Sequence, residues 1–408
     1  MSLTITSHYL NCVPGSNPSF PCVIMLLPTH FLLLALSQSC FVLGMGESGK
    51  WEGTSRMTCT GGTSFIDYTT VSGFFLQDET STDPKGFDYI TTNYGLINRE
   101  YSTDSSFDPE SKMTQWQRFE HYVEALNRDA GKNTQYKILY MMRHGEGFHN
   151  AAESYYGTPA WNCYWSELDG NGTSIWADAL LTQSGIDQTT KANRFWHSQL
   201  VNERMPAPES YYSSPLSRCT TTANLTFASL ALPADRPFTP VIKEFLREGI
   251  SVHTCDRRSN KTYIQSMFPS YRFEESFTEH DELWNGTFAE AGAAQNARSK
   301  AVLDDIFSKD GNTWISITSH SGEIRSLLSV LGHRPFSLST GQAIPVLVRA
   351  RNHRKIEDPA TPVSDSPWVF EPTCTSPPVT SGAAGCVCAT ASPTLSVTSS
   401  LASSTISF

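Results

Sequence analysis

The stretch YKILYMMRHGEGFHN, Tyr136 to Asn150, decides how the rest of the chain is read. Ile138, Leu139, Tyr140, Met141 and Met142 make an apolar run of the length and bulk of a buried strand. The run breaks into Arg143-His144-Gly145, and a buried strand that ends this way puts both side chains where open α/β sheets bind ligands. Gly145 lets a ligand approach the backbone closely. A helix beginning between Gly147 and His149 turns its unpaired N–H groups and positive dipole end towards the same spot. These features describe a pocket for an oxyanion. The tripeptide alone recurs by chance, so its weight comes from partners further along the chain.

Bulk properties narrow the classes of protein. A chain of 408 residues accommodates one large α/β domain or two smaller ones, and 39% hydrophobic with 17% charged residues is enough to build a core. The net charge is −10 and no dense Lys/Arg run occurs, which disfavours nucleic acid and anionic membranes as partners. An anionic ligand must therefore be met by a local Arg cluster. Residues 23–44 are largely apolar but are interrupted by Pro28, His30, Ser37, Gln38 and Ser39, so no stable membrane span is expected. Read from Met25, the run Phe31 to Leu36 followed by Ser37-Gln38-Ser39 has the form of a signal peptide, although no Lys or Arg precedes it. Among the ten cysteines, only Cys163, Cys219 and Cys255 fall in the central region, without metal-ligand spacing. They are expected to be buried free thiols, which leans towards a reducing compartment. The cytoplasm is the favoured location, with secretion from a start at Met25 as the alternative.

Three regions follow: a leader over 1–60, largely without structure of its own; a catalytic domain over 61–355; and a Ser/Thr/Pro-rich tail over 356–408, expected to be disordered. The central region reads as alternating strands and helices. Thr69 to Leu76 is a candidate strand, and Gln115 to Arg128 a helix with Trp116, Phe119, Val123 and Leu126 on one face. Tyr155 to Trp176 is an irregular insertion, read as a packed surface loop. Thr182 caps a helix running to about Leu200. Tyr211 to Pro215 is a short strand leading to Arg218 at the start of a Thr-rich helix. Val241 to Glu248 is a strand or short helix with Glu248 at its exit. His253 to Lys261 holds Arg257, Arg258 and Lys261, either a solvated basic loop or a second anion contact. A helix is expected from about Glu279 through Phe307. Thr313 to Thr318 is a buried strand ending in Ser319-His320-Ser321-Gly322, a helix covers Glu323 to Leu331, and Ile344 to Val348 completes the sheet.

His144, Arg143, Arg218 and His320 thus fall at strand-to-helix junctions of one sheet, with Glu248 at another element end. Their convergence on the carboxyl edge is improbable for a random set of core residues. Neither histidine lies at a metal-ligand spacing such as HExxH, so a metal is unneeded; no cofactor is expected.

The chain resembles the histidine phosphatase superfamily, on its phosphoglycerate mutase-like branch. The resemblance is carried by Arg143-His144-Gly145-Glu146 with Asn150, by Leu181-Thr182-Gln183-Ser184-Gly185-Ile186-Asp187-Gln188, by Ser214-Pro215-Leu216-Ser217-Arg218 and by Ser319-His320-Ser321-Gly322. The RHGxRxP pattern of the acid phosphatase and phytase branch is absent, since Gly147 and His149 occupy those places. The long Gly-containing loop of cofactor-dependent mutases is not visible after Glu248.

The resemblance implies a three-layer α/β/α sandwich with a mostly parallel central sheet, and a small phosphorylated substrate. His144 would be the nucleophile. Arg143, Arg218, His320 and Asn150 would hold the phosphoryl oxygens, and Glu248 would be the proton donor and acceptor, with Glu244 and Asp256 as neighbouring carboxylates open to that role. Arg258 is a further candidate phosphate contact. The implied activity is hydrolysis of phosphomonoesters, with a phosphoglycerate mutase and a catalytically silent phospho-ligand module as alternatives.

Overall fold

The computed structural model describes residues 40–45, 51–57, 64–354, 368–370, 373–382 and 385–389. The chain divides after Gly61 into two compact units. In the first, Cys40–Met45 pairs antiparallel with Trp51–Met57; the run read as a signal peptide lies outside the described residues.

The second unit is built on a seven-stranded sheet. Its strands are β1 (Ser64–Thr70), β2 (Thr134–Arg143), β3 (Ser210–Ser213), β4 (Val241–Ile242), β5 (Arg272–Phe273), β6 (Trp314–Ser319) and β7 (Ala343–Arg354), in the spatial order β1-β7-β2-β6-β3-β4-β5. From β2 to β5 the strands run parallel; β7 is antiparallel to both of its neighbours. Ile138 to Met142 in β2 and Trp314 to Ser319 in β6 are buried at every position, as strands covered on both faces must be. The helices that cover them are α1 (Gln115–Asp129), α2 (Phe148–Tyr156), α3 (Thr158–Cys163), α4 (Gln183–Ser198), α5 (Ser217–Phe227), α6 (Gly292–Lys309) and α7 (Ser321–Val330). This is the three-layer α/β/α arrangement with a mostly parallel sheet.

Three element expectations give way. The strand read over Thr69 to Leu76 lies earlier, because Gly73 turns the chain at φ +87° and Phe74 and Phe75 leave the sheet to pack on Phe119 of α1. The β-like composition of that stretch belongs to core aromatics, not to a ladder. The helix expected from Glu279 begins only at Gly292. Asp281 instead accepts the Leu283 and Trp284 N–H groups in a turn and pairs with Arg247. The insertion after Asn150 is partly helical (end of α2, all of α3), and Trp161 and Trp176 gather with Ala152, Ala179 and Cys255 into a small second core.

The cysteine reading is also corrected. Cys163, at the end of α3, is disulfide-bonded to Cys386, and Cys374 to Cys388; Cys219 and Cys255 are free and buried. The tail, read as disordered, is here tied to the insertion, and the Cys374 N–H donates to the Cys163 carbonyl at 2.7 Å. Sequence spacing could not show this, because the partners are separated by 223 residues. With Cys163 bridged, the free-thiol ground for a reducing compartment falls away. No described helix is long and apolar enough to cross a membrane.

Candidate active site

The register of β2 against β6 sets the site. Arg143 stands opposite Ser319, and the His144 N–H donates to the Ser319 carbonyl at 3.0 Å, so the two strands release His144 and His320 at adjacent points of one edge. Their ring centroids lie 5.0 Å apart, edge to face, and both rings are essentially fully buried.

Hydrogen-bond chemistry fixes both tautomers. His144 Nδ1 lies 2.7 Å from the Gly145 carbonyl, which can only accept, so Nδ1 carries the proton and the Nε2 lone pair is left over. His320 is the reverse. Arg218 Nε donates to its Nδ1 at 3.2 Å, so its proton sits on Nε2 and meets Ser214 Oγ at 2.8 Å. Burial, together with the guanidiniums of Arg218 and Arg143, holds His144 well below the usual imidazole range; burial and Arg218 do the same for His320. Two neutral imidazoles therefore face each other at neutral pH.

Arg218 enters from the first turn of α5 and is 1% exposed. Besides His320 it donates through Nη1 to the Cys255 carbonyl at 2.7 Å, while Asp256 lies 3.7 Å from Nη2. Cys255 belongs to the small core of the insertion, so that insertion helps to hold Arg218 in place. Arg143 is anchored through Nη1 to the Leu338 carbonyl, and its Nε is buried without a protein partner. Asn150 accepts the Gly147 N–H with Oδ1 at 3.0 Å, which caps its own helix α2 and leaves the amide nitrogen as a donor.

Gly145 also has a packing reason to be glycine. A β-carbon there would fall 2.5 Å from the Gly185 carbonyl oxygen, and one at Gly185 would fall 2.1 Å from the Glu146 carbonyl oxygen. The two glycines let the loop after β2 lie directly on the start of α4, where Thr182 accepts from the Gly185 N–H and donates to the Glu146 carboxylate.

Glu248 meets the start of α7. Its carboxylate accepts the N–H groups of Gly322 (3.2 Å) and Glu323 (3.0 Å), one turn past His320. A β-carbon at Gly322 would sit 2.2 Å from Glu248 Oε1, so glycine there makes this approach possible. The neighbouring carboxylates are otherwise engaged. Glu244 pairs with Arg247 at 2.9 Å and Arg258 at 2.7 Å; Asp256 accepts from Ser251 and faces Arg218.

Arg258 is the candidate that the fold does not bring to the cluster. Its Nε pairs with Glu244, its other nitrogens donate to the carbonyls of Thr278, Glu279 and His280, and it lies over the Phe277 ring. Those contacts occupy its donors and leave none for an anion. Nearby Arg257 pairs with Asp169 of the insertion and stacks on Trp284, so the basic loop is a structural bridge.

Sequence reasoning passed over His149. Its ring is 5.4 Å from that of His144, burial and then Arg218 hold it well below the usual imidazole range, and its Nδ1 is buried without a partner. The signal was present: a His beside Asn150 lies in the first turn of a helix that starts at the loop after His144.

Two buried imidazoles, two guanidiniums and a helix-capping carboxylate stand at one sheet edge, an arrangement chemically suited to holding and transferring an anionic group. Residues 139–345 match the model of the histidine phosphatase superfamily (branch 1), and the chain belongs to that superfamily. A protein named "Probable phosphoglycerate mutase" from Arthroderma benhamiae is 52% identical over 284 residues, covering 70% of this chain and 84% of that one. "Phosphomutase-like protein 3" of Candida albicans is 37% identical over 244 residues, covering 59% of this chain and 73% of its own. Among solved structures, phosphoserine phosphatase from Entamoeba histolytica in complex with 3-phosphoglyceric acid aligns with a TM-score of 0.30 and 18% identity, over 51% of this chain and 89% of that chain.

Proposed function

We propose that the protein is a phosphatase that hydrolyses small phosphomonoesters through a phosphohistidine on His144. The observation that carries this reading is the His144 tautomer: Nδ1 is tied to the Gly145 carbonyl, so Nε2 keeps its lone pair beside two guanidiniums. Nε2 attacks phosphorus in line, a P–N bond forms and the ester P–O bond breaks. Glu248 gives a proton to the departing oxygen. In the second half Glu248 takes a proton from water, whose oxygen attacks phosphorus as the P–N bond breaks. Arg143, Arg218 and the Asn150 amide meet the spreading negative charge. His320 braces Arg218 through Nδ1, and its Nε2–H, now on Ser214, is the donor a phosphoryl oxygen would compete for. No step in this sequence draws on a metal, since the guanidiniums supply the positive charge.

A mutase is the second reading, and the names of the fungal relatives favour it. Incubation with 3-phosphoglycerate, with and without a bisphosphorylated primer, separates the two. Inorganic phosphate released faster than 2-phosphoglycerate, with no need for primer, supports hydrolysis; primer-dependent isomerisation without phosphate release overturns it.

A further inference from the structure

Glu248 sits on a segment with little regular structure to hold it. The strand before it, β4, is two residues long, and a single 3₁₀ turn (Glu244–Leu246) intervenes. The carbonyls of such a segment need partners from elsewhere in the fold.

One buried side chain supplies them. Arg298, on α6 and 7% exposed, donates through Nη1 to the carbonyls of Phe245 (2.8 Å) and Arg247 (3.0 Å) and through Nη2 to that of Glu248 (3.2 Å). The same guanidinium pairs with Glu290 at 2.8 Å and with Glu323 at 3.2 Å. Glu323 is fully buried in the first turn of α7, and its backbone N–H donates to Glu248 Oε1. Its carboxylate is held further by Ser299 Oγ at 2.7 Å and Gln295 Nε2 at 3.3 Å, both from α6. Arg298 therefore grips the Glu248 backbone with one set of donors and, through Glu323, the helix turn on which the Glu248 carboxylate rests.

We propose that Arg298, acting with Glu323, is the positioning residue for the Glu248 carboxyl. Arg298 does not touch the reacting atoms; it fixes where the proton is delivered. Five donors in a rigid fork suit this task, and a lysine ammonium cannot reach three carbonyls and two carboxylates at once. The inference rests on the reading of Glu248 as proton donor.

The test compares two esters with opposite needs for that proton. Phenyl phosphate expels a basic phenoxide, whereas 2,4-dinitrophenyl phosphate expels a phenolate that departs unaided. The ratio of their kcat/KM values is measured in the wild type, Glu248→Gln, Arg298→Lys and Glu323→Gln. Glu248→Gln is expected to lower the phenyl phosphate value by about a hundredfold or more while sparing the dinitrophenyl ester. Arg298→Lys and Glu323→Gln should move the ratio the same way by about tenfold, a partial loss of the general-acid effect. If Arg298→Lys does not fold, Glu323→Gln carries the test, because it keeps the shape and removes the charge facing Arg298. Equal losses on both esters in these two variants, or none, overturn the positioning role while Glu248→Gln keeps its ester-selective loss. A Glu248→Gln enzyme that loses both esters equally overturns the Glu248 reading, and the inference with it.

Discussion

Arg218 donates through Nε to Nδ1 of His320 at 3.2 Å, so a guanidinium and an imidazole 102 residues apart set each other's geometry. The contact holds His320 in the Nε2–H tautomer. Arg218→Lys removes it, because an ammonium cannot serve both His320 and the Cys255 carbonyl in this geometry. The expected loss is about 10²–10³ in kcat on an aryl phosphate, the range for removing one preorganised donor. A change of less than about threefold would argue against the clamp.

Three histidines should make the fold acid-sensitive. His144, His149 and His320 all titrate well below the ordinary 6.5, chiefly through burial, with Arg218 next. The unfolded chain therefore binds their protons first as pH falls. Their contribution is fully present above about pH 6.5 and is lost below it, at up to about 1.4 kcal/mol per pH unit for each histidine. Urea midpoints should drop between pH 7.5 and 5.5, and His149→Gln should flatten that drop. A midpoint that holds or rises on acidification contradicts the burial account.

Gly185→Ala tests the contact between the loop after β2 and α4. Its β-carbon would meet backbone atoms of Glu146 at 2.1 and 2.9 Å, which cannot swing aside as a side chain would. We expect destabilisation of about 1–3 kcal/mol by urea denaturation, with a loss of activity as the His144 loop shifts.

The tether from the insertion to the tail should be visible chemically. A non-reducing peptide map is expected to link the Cys163 peptide to that of Cys386, and Cys163→Ser should cost about 2–4 kcal/mol. Cys163 recovered as an alkylated free thiol from native protein would contradict the link.

The parallel core was legible because period and composition agree there. Ile138 to Met142 announces itself as an unbroken apolar run, and Trp314 to Thr318 as an alternating stretch rich in bulky β formers; both are buried along their whole length. The residues at their ends, Arg143, His144 and His320, were legible for the same reason: the end of a buried parallel strand is where a polar side chain has no packing role. What escaped depended on distance in the chain. Arg258 read as an anion contact because its Glu244 partner and the carbonyls near residue 279 lie on separate segments. Arg298 sits in a helix of ordinary composition, and its role appears only when Glu248 and Glu323 are brought to it.

The most direct test of the central claim is to trap the phosphoenzyme. Rapid quenching of the wild type during turnover of a labelled monoester, followed by peptide mapping, should find an acid-labile, alkali-stable phosphoryl group on His144 and none in His144→Ala. A label carried by another residue, or turnover of an aryl phosphate that persists in His144→Ala, would contradict it.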